Sequence, residues 1–240
     1  MQTAQPIEEH KRAAGFAAVD RFVQDGMCVG LGTGSTARWA IERVGELIAQ
    51  GARIAAVPTS ILTENLCRER NIPMLSLMER EIAVAIDGAD EVGADFALIK
   101  GAGGALFREK AVALAAKRFV VVVTEEKLVP VLGQRFPVPV EVVEFSADYV
   151  ARAVMQLGAH ALERRGRIPP HAAERRGALT PYITDNGNWI LDCRFGSIQD
   201  PAALDERLRN IHGVVGTGLF VGLADDVIVA GAGGVRRLGV

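Results

Sequence analysis

The chain has 240 residues, 49% hydrophobic and 23% charged, which is ordinary globular composition with ample material for a core. With 27 basic and 29 acidic residues the net charge is -2, so neither nucleic acid nor an anionic membrane is expected as a partner. No run of about 18 apolar residues occurs, and the opening MQTAQPIEEHKRAAG lacks an apolar signal core with a cleavage site; a cytoplasmic protein is the expectation.

The first predicted element is a helix over 7–25, with Phe16, Val19, Phe22 and Val23 at helical spacing and Gly26 as its stop. MCVGLG follows as a short strand, and GTGST turns the chain into a helix over about Ala37–Ala49 that Gly51 ends. RIAAVP reads as a second strand, TSILTENLCRER as a helix stopped by Asn71, MLSL as a short strand and EIAVAI as another. A helix over about Ala105–Lys117 precedes FVVVV, a run apolar on both faces, as a central parallel strand should be. Strands alternating with helices predict a parallel sheet covered on both sides.

The rhythm changes near Val131. LGQRFPVPVEVVEF is an extended run, and a helix follows from about Asp148 with Val150, Val154 and Leu157 on one face. TPYITDNGNWILDCRF reads as a hairpin closed by Asn186-Gly187, a favoured tight-turn pair. Asp200-Pro201 opens a helix with Leu204, Leu208 and Ile211 as its apolar stripe. GVVGTGLF and DDVIVAGAGG read as strands that return to the first sheet. The stretch 160–181 holds five arginines and three prolines and reads as a solvated loop, with a basic binding patch as the alternative. The prediction is an α/β protein: a Rossmann-like parallel-sheet unit over 1–131 and 213–240, interrupted by a smaller α+β unit over 132–212.

Cys28, Cys67 and Cys193 are far apart and odd in number, which suits a reducing compartment and no disulfide framework. The histidines His10, His160, His171 and His212 are scattered, none with a second His or Cys at a familiar ligand spacing, so neither metal nor cofactor is expected.

Three motifs fall at the carboxyl ends of predicted strands, where open α/β sheets bind ligands. Gly32-Thr33-Gly34-Ser35-Thr36 puts glycines and hydroxyls between a strand and a helix, either a phosphate cradle or a plain turn. Asp87-Gly88-Ala89-Asp90 closes an apolar strand with two carboxylates, either a reaction centre or an acidic surface turn. Lys100-Gly101-Ala102-Gly103-Gly104 leads into a helix whose early turn carries Glu109. A sugar phosphate that moves a carbonyl between C1 and C2 needs all three kinds of group. The C–H proton demands a base, the enediolate a cation, the hydroxyls a second acid/base group, and the phosphate an anion site.

At these residues the sequence resembles type A ribose-5-phosphate isomerase. GLGTGSTA, DGADE and IKGAGGALFREK match its motifs in order, and FPVPVEV and TDNGNWILD match two further segments, so the likeness runs from about Lys11 to about Gly234. The resemblance implies a metal-free aldose–ketose isomerase working through a cis-enediolate on a small-molecule sugar phosphate, as a homodimer or homotetramer. It implies Glu109 as the base between C1 and C2, Asp87 as acid/base partner at the sugar oxygens, Lys100 as the cation on the enediolate, and Asp90 as a hydroxyl ligand. Thr33, Gly34, Ser35 and Thr36, with Gly88, Ala89, Gly101, Ala102 and Gly103, would be binding loops. Lys127 would hold substrate, and Lys11 would be a second cation near the phosphate. Two departures stand out: Ala102 replaces a frequent glycine, and the stretch 160–181 is long. A sugar-phosphate sensor and an acyl-CoA transferase with Glu109 as nucleophile are the competing readings.

Overall fold

The computed structural model describes residues 4–167 and 180–239. The chain runs through α1 (Ala4–Phe22), β1 (Cys28–Leu31), α2 (Ala37–Ala49), β2 (Ala55–Pro58), α3 (Ile61–Glu69) and β3 (Val84–Asp87). Next come β4 (Glu91–Val92), β5 (Leu98–Ile99), α4 (Leu106–Ala115), β6 (Phe119–Thr124), β7 (Val138–Val142) and α5 (Ala147–Gln156). Then follow β8 (Ala161–Arg164), β9 (Gly166–Arg167), β10 (Thr180–Pro181), β11 (Trp189–Arg194) and α6 (Pro201–Arg209). The chain closes with β12 (Val214–Thr217), β13 (Leu219–Phe220), β14 (Asp226–Gly231) and β15 (Gly234–Gly239).

The main sheet has the order β15-β14-β6-β3-β1-β2. Every pairing in it is parallel except that of β15, which folds back antiparallel on β14. Because β1, β3 and β6 point the same way, the segments after Leu31, Asp87 and Thr124 leave the sheet along one edge. Each residue of β6 is buried, as a strand covered on both faces must be. On one face Val120 and Val122 pack with Ile41, Val44 and Ala18 of the helices; on the other, Val121 and Val123 join Phe220 and Val112.

Most predicted elements form where their residues dictate. Helix α2 spans Ala37–Ala49, and Gly51 ends it at φ +101°. Ser60 caps α3 by accepting from the Thr63 N–H, and Asn71 stops it at φ +53°. Asp200 caps α6, accepting from the Ala203 N–H at 2.9 Å.

Three expectations are corrected. MLSL is not a strand: Met74 makes a single bridge to Ala56, because the chain only grazes the edge of β2. GVVGTGLF does not rejoin the main sheet; β12 pairs with β7 in the four-stranded sheet β12-β7-β11-β8, and β13 pairs with β5 in the small sheet β13-β5-β4. The Asn186-Gly187 turn exists, but its flanks are not one hairpin: β10 pairs with β9, and β11 with β7 and β8. A buried carboxylate explains the divergence. Glu141 Oε1 accepts from Thr184 Oγ1 at 2.9 Å, Asn188 Nδ2 at 2.9 Å and Asn186 Nδ2 at 3.2 Å, drawing the turn down onto β7. Of the arginine-rich stretch 160–181, residues 168–179, His171 among them, lie outside the described residues.

Candidate active site

The loops after β1, β3, β5 and β6 meet around a cleft that opens to solvent. Its wall is built from Thr33 through Thr36, Gly88 through Asp90, Lys100 through Gly103, Glu109 and Lys127. All of these were expected from the sequence. Asp87 sits directly behind the wall, 3% exposed.

Lys100 reaches this point because it directly follows β5: its backbone N–H donates to the Gly218 carbonyl at 2.8 Å, fixing the residue beside the start of β13. Its ammonium is buried and donates to the Gly88 carbonyl at 2.5 Å. It also lies 2.9 Å from Asp87 Oδ2 and 3.5 Å from Glu109 Oε2. Those two carboxylate oxygens are buried and accept no hydrogen bond among the described residues, so each is held by ion pairing alone. The other Asp87 oxygen, Oδ1, accepts from the backbone N–H of Gly88 at 2.7 Å and of Thr33 at 3.1 Å. Glu109 comes from the first turn of α4, where the helix dipole favours a carboxylate. It is 4% exposed, so the ordinary exposed-helix alternative does not hold.

Burial sets the protonation of this cluster. Burial, and then the charge of Asp87, push the Glu109 carboxyl up to about 8, with Lys100 only partly opposing them. Asp87 is raised as well, by burial, against the pull of Lys100 and its hydrogen bonds. Burial would strip the Lys100 proton, but the two carboxylates outweigh it and hold the ammonium charged well above neutrality. Near neutral pH the cluster therefore keeps Lys100 charged beside a largely protonated Glu109, which becomes a strong carboxylate base once it ionises.

The first loop divides its labour. The Thr33 hydroxyl lies within 2.7–3.0 Å of the hydroxyls of Thr59, Ser60 and Thr63, and its N–H is spent on Asp87, so Thr33 is structural. The N–H groups of Ser35, Thr36 and Ala37 make no hydrogen bond among the described residues. They stand at the start of α2, a helix end suited to an anion. Lys127 brings its ammonium to the cleft from the short turn after β6, above the Phe136 ring at 4.5 Å. Asp90 accepts from the Ala102 N–H at 2.9 Å. Ala102 is tolerated because its φ is not in the left-handed region, unlike that of Gly101 at +103°. Lys11 is not brought to the cleft: it pairs with Glu8 at 2.7 Å on α1 and forms no part of the wall. Among the described residues, no group of three or more His, Cys, Asp or Glu is placed to hold a metal ion.

Gly32 is a requirement the strand pattern alone did not reveal. A Cβ there would lie 2.0 Å from Asp87 Oδ1. Gly32→Ala is thus expected to push the carboxylate off Lys100 and lower kcat by about 10²-fold, the lower bound for losing a positioned acid/base group. Steady-state kinetics with a thermal melt check this; an unchanged kcat would contradict the placement of Asp87.

Comparison with known proteins identifies a family. Residues 55–234 match the family model described as ribose 5-phosphate isomerase A (phosphoriboisomerase A). The chain is 47% identical to ribose-5-phosphate isomerase A of Gluconobacter oxydans over 95% of each chain. It is 48% identical to that of Natronomonas pharaonis, over 98% of this chain and 99% of the other. Among solved structures it is similar to ribose 5-phosphate isomerase A of Methanocaldococcus jannaschii, with a TM-score of 0.87 at 39% identity, covering 97% of this chain and 99% of that one. A D-ribose-5-phosphate isomerase in complex with phospho-erythronic acid gives a TM-score of 0.91 at 39% identity, covering 98% and 99%.

Proposed function

The chain belongs to the ribose 5-phosphate isomerase A family, and from that membership we propose how its cleft interconverts D-ribose 5-phosphate and D-ribulose 5-phosphate. The observation that carries the reading is the buried triad: two carboxylates within 3.5 Å of one ammonium at a cleft lined by the Thr33–Thr36 loop.

The substrate phosphate sits on the free N–H groups of Ser35 and Thr36, with their hydroxyls and the Lys127 ammonium adding donors. C1 and C2 then lie toward Lys100. Ionised Glu109 takes the proton from C2 of the open-chain aldose, and the electron pair of that C–H bond forms the C1–C2 double bond of the enediolate. Lys100 stabilises the oxygen on which negative charge grows, where burial makes the interaction strong. Glu109 returns the proton to C1 while the C2 hydroxyl proton passes to the C1 oxygen, leaving C2 as the carbonyl of the ketose. Asp87 serves the oxygens in this exchange, which its unbonded Oδ2 supports. Asp90 binds a hydroxyl while orienting the Ala102 N–H. Turnover of ribose 5-phosphate to the ketose, followed by NMR, tests the reading; folded protein that leaves the sugar unchanged would refute it.

The pH profile follows from Glu109. The base form exists only above its pKa, raised to about 8 by burial and then Asp87, so kcat/KM should rise with pH from 7 to 8 and level off beyond. Substrate phosphate, whose second ionisation lies near pH ~6, is already dianionic there. A flat profile between pH 7 and 9 would contradict the assignment.

No helix among the described residues is long and apolar enough to cross a membrane. A cytoplasmic location and a homodimer or homotetramer remain part of the proposal, supported by family membership. So does the division into two units. The pairing of β7, β8 and β11 supports an inserted unit over 132–212, and the pairing of β12 with β7 favours extending it to Thr217.

A further inference from the structure

We propose that Arg165 is a positioning residue for substrate binding: with Asp192 it holds the carbonyls of Gly101 and Ala102 away from the cleft and so aims the Gly103 N–H at a substrate oxygen. The inference rests on the isomerase reading above. Arg165 lies in the arginine-rich stretch, 64 positions from Gly101, and forms no part of the cleft wall. Its Nη1 donates to the Gly101 carbonyl at 2.9 Å and the Ala102 carbonyl at 3.1 Å. Its Nε and Nη2 make a two-point pair with Asp192 at 2.8 Å and 2.5 Å, and both side chains are largely buried. A planar fork locked at one end this way presents its remaining N–H groups in a fixed direction.

A third carbonyl is held too, since the Tyr182 hydroxyl donates to Gly103 O at 3.3 Å. The fit is close: a Cβ on Gly104 would fall 2.2 Å from that hydroxyl oxygen. In a trans peptide the N–H points opposite to the preceding C=O. Turning the Gly101 carbonyl to Arg165 therefore sends the Ala102 N–H to Asp90, where it is found at 2.9 Å. By the same geometry, turning the Ala102 carbonyl to Arg165 sends the Gly103 N–H toward the cleft, and that N–H makes no hydrogen bond among the described residues. The donor is thus oriented before substrate arrives, by Asp192 of β11 and by Arg165 and Tyr182, none of which belongs to the main sheet.

The test measures binding of phospho-erythronic acid by calorimetry, beside kcat and KM for ribose 5-phosphate. Arg165→Met is expected to raise Kd and KM about tenfold, equivalent to ~1.4 kcal/mol, with kcat within a factor of three. Asp192→Asn should raise Kd less, and should add nothing in the Arg165→Met background, because it acts through Arg165. If Arg165→Met does not fold, Arg165→Lys carries the test: it keeps the charge, loses the fork and is expected to raise Kd similarly. A wild-type Kd in the folded variant, a loss confined to kcat, or additive effects of the two substitutions would overturn the proposal. Absence of turnover in the wild-type protein would instead sink the isomerase reading itself.

Discussion

Glu109→Gln is expected to lower kcat by about 10³–10⁴-fold, the upper range for a positioned acid/base group, while Kd for phospho-erythronic acid changes by no more than a few fold. Glutamine fills the same buried space beside Lys100 but cannot accept a proton from carbon. The result also separates an enzyme from a sugar-phosphate sensor, whose ligand response would survive the change. The same variant carries a stability signature. Glu109 titrates at about 8 in the folded protein against an ordinary 4.5, so its folded state binds the proton more tightly. That contribution is fully present below pH 4.5 and is lost as pH rises through 8. Glutamine does not titrate, so the melting temperature of Glu109→Gln relative to wild type should climb between pH 5 and 9. A difference that stays constant, or falls, would contradict the buried, proton-holding environment of this residue.

Lys100→Ala should lower kcat by about 10²–10³-fold, as loss of a donor to a developing oxyanion does, and leave substrate binding largely intact. The charge it meets appears only as the enediolate forms, so its effect belongs to the transition state. A second consequence is electrostatic. Lys100 is the group that pulls both carboxylates down, so without it Glu109 moves above 8 and the rise of kcat/KM shifts to higher pH. Steady-state kinetics across pH checks both parts. An effect on KM alone would place Lys100 at the phosphate and reverse the orientation of the sugar in the cleft.

Much of this arrangement was readable in the chain because it is local. The first two motifs follow the parallel strands β1 and β3, which deliver their carboxyl ends to one edge, so Asp87 and Asp90 stand beside the Thr33–Thr36 loop as their spacing implied; Lys100 and Glu109 join them through the small antiparallel sheet and α4. What was not readable depends on distant partners. Arg165 stands in a charged stretch that looks like solvated loop, and nothing in its neighbours announces an anchor 64 residues away. Thr33 looked like a ligand because its hydroxyl flanks a glycine loop; only the fold shows that Thr59, Ser60 and Thr63 already engage it. Lys11 was placed by resemblance, and its side chain instead turns along α1 to Glu8. The edge strand β15 escaped notice because GVRRLG is charged and mostly exposed; it forms as the return limb of β14, with Gly234 at φ +92° in the turn. The short strands β4 and β5 are two residues each, below any periodicity signal, yet they set the position of Lys100.

A crystal structure of the protein bound to phospho-erythronic acid tests the central claim most directly. The acid's planar carboxylate places two oxygens much as a cis-enediolate does. The account predicts that carboxylate within hydrogen-bond reach of Lys100 and Glu109, and the phosphate on the N–H groups of Ser35 and Thr36. A ligand bound outside the cleft, or one with its phosphate against Glu109 and Lys100, would contradict it.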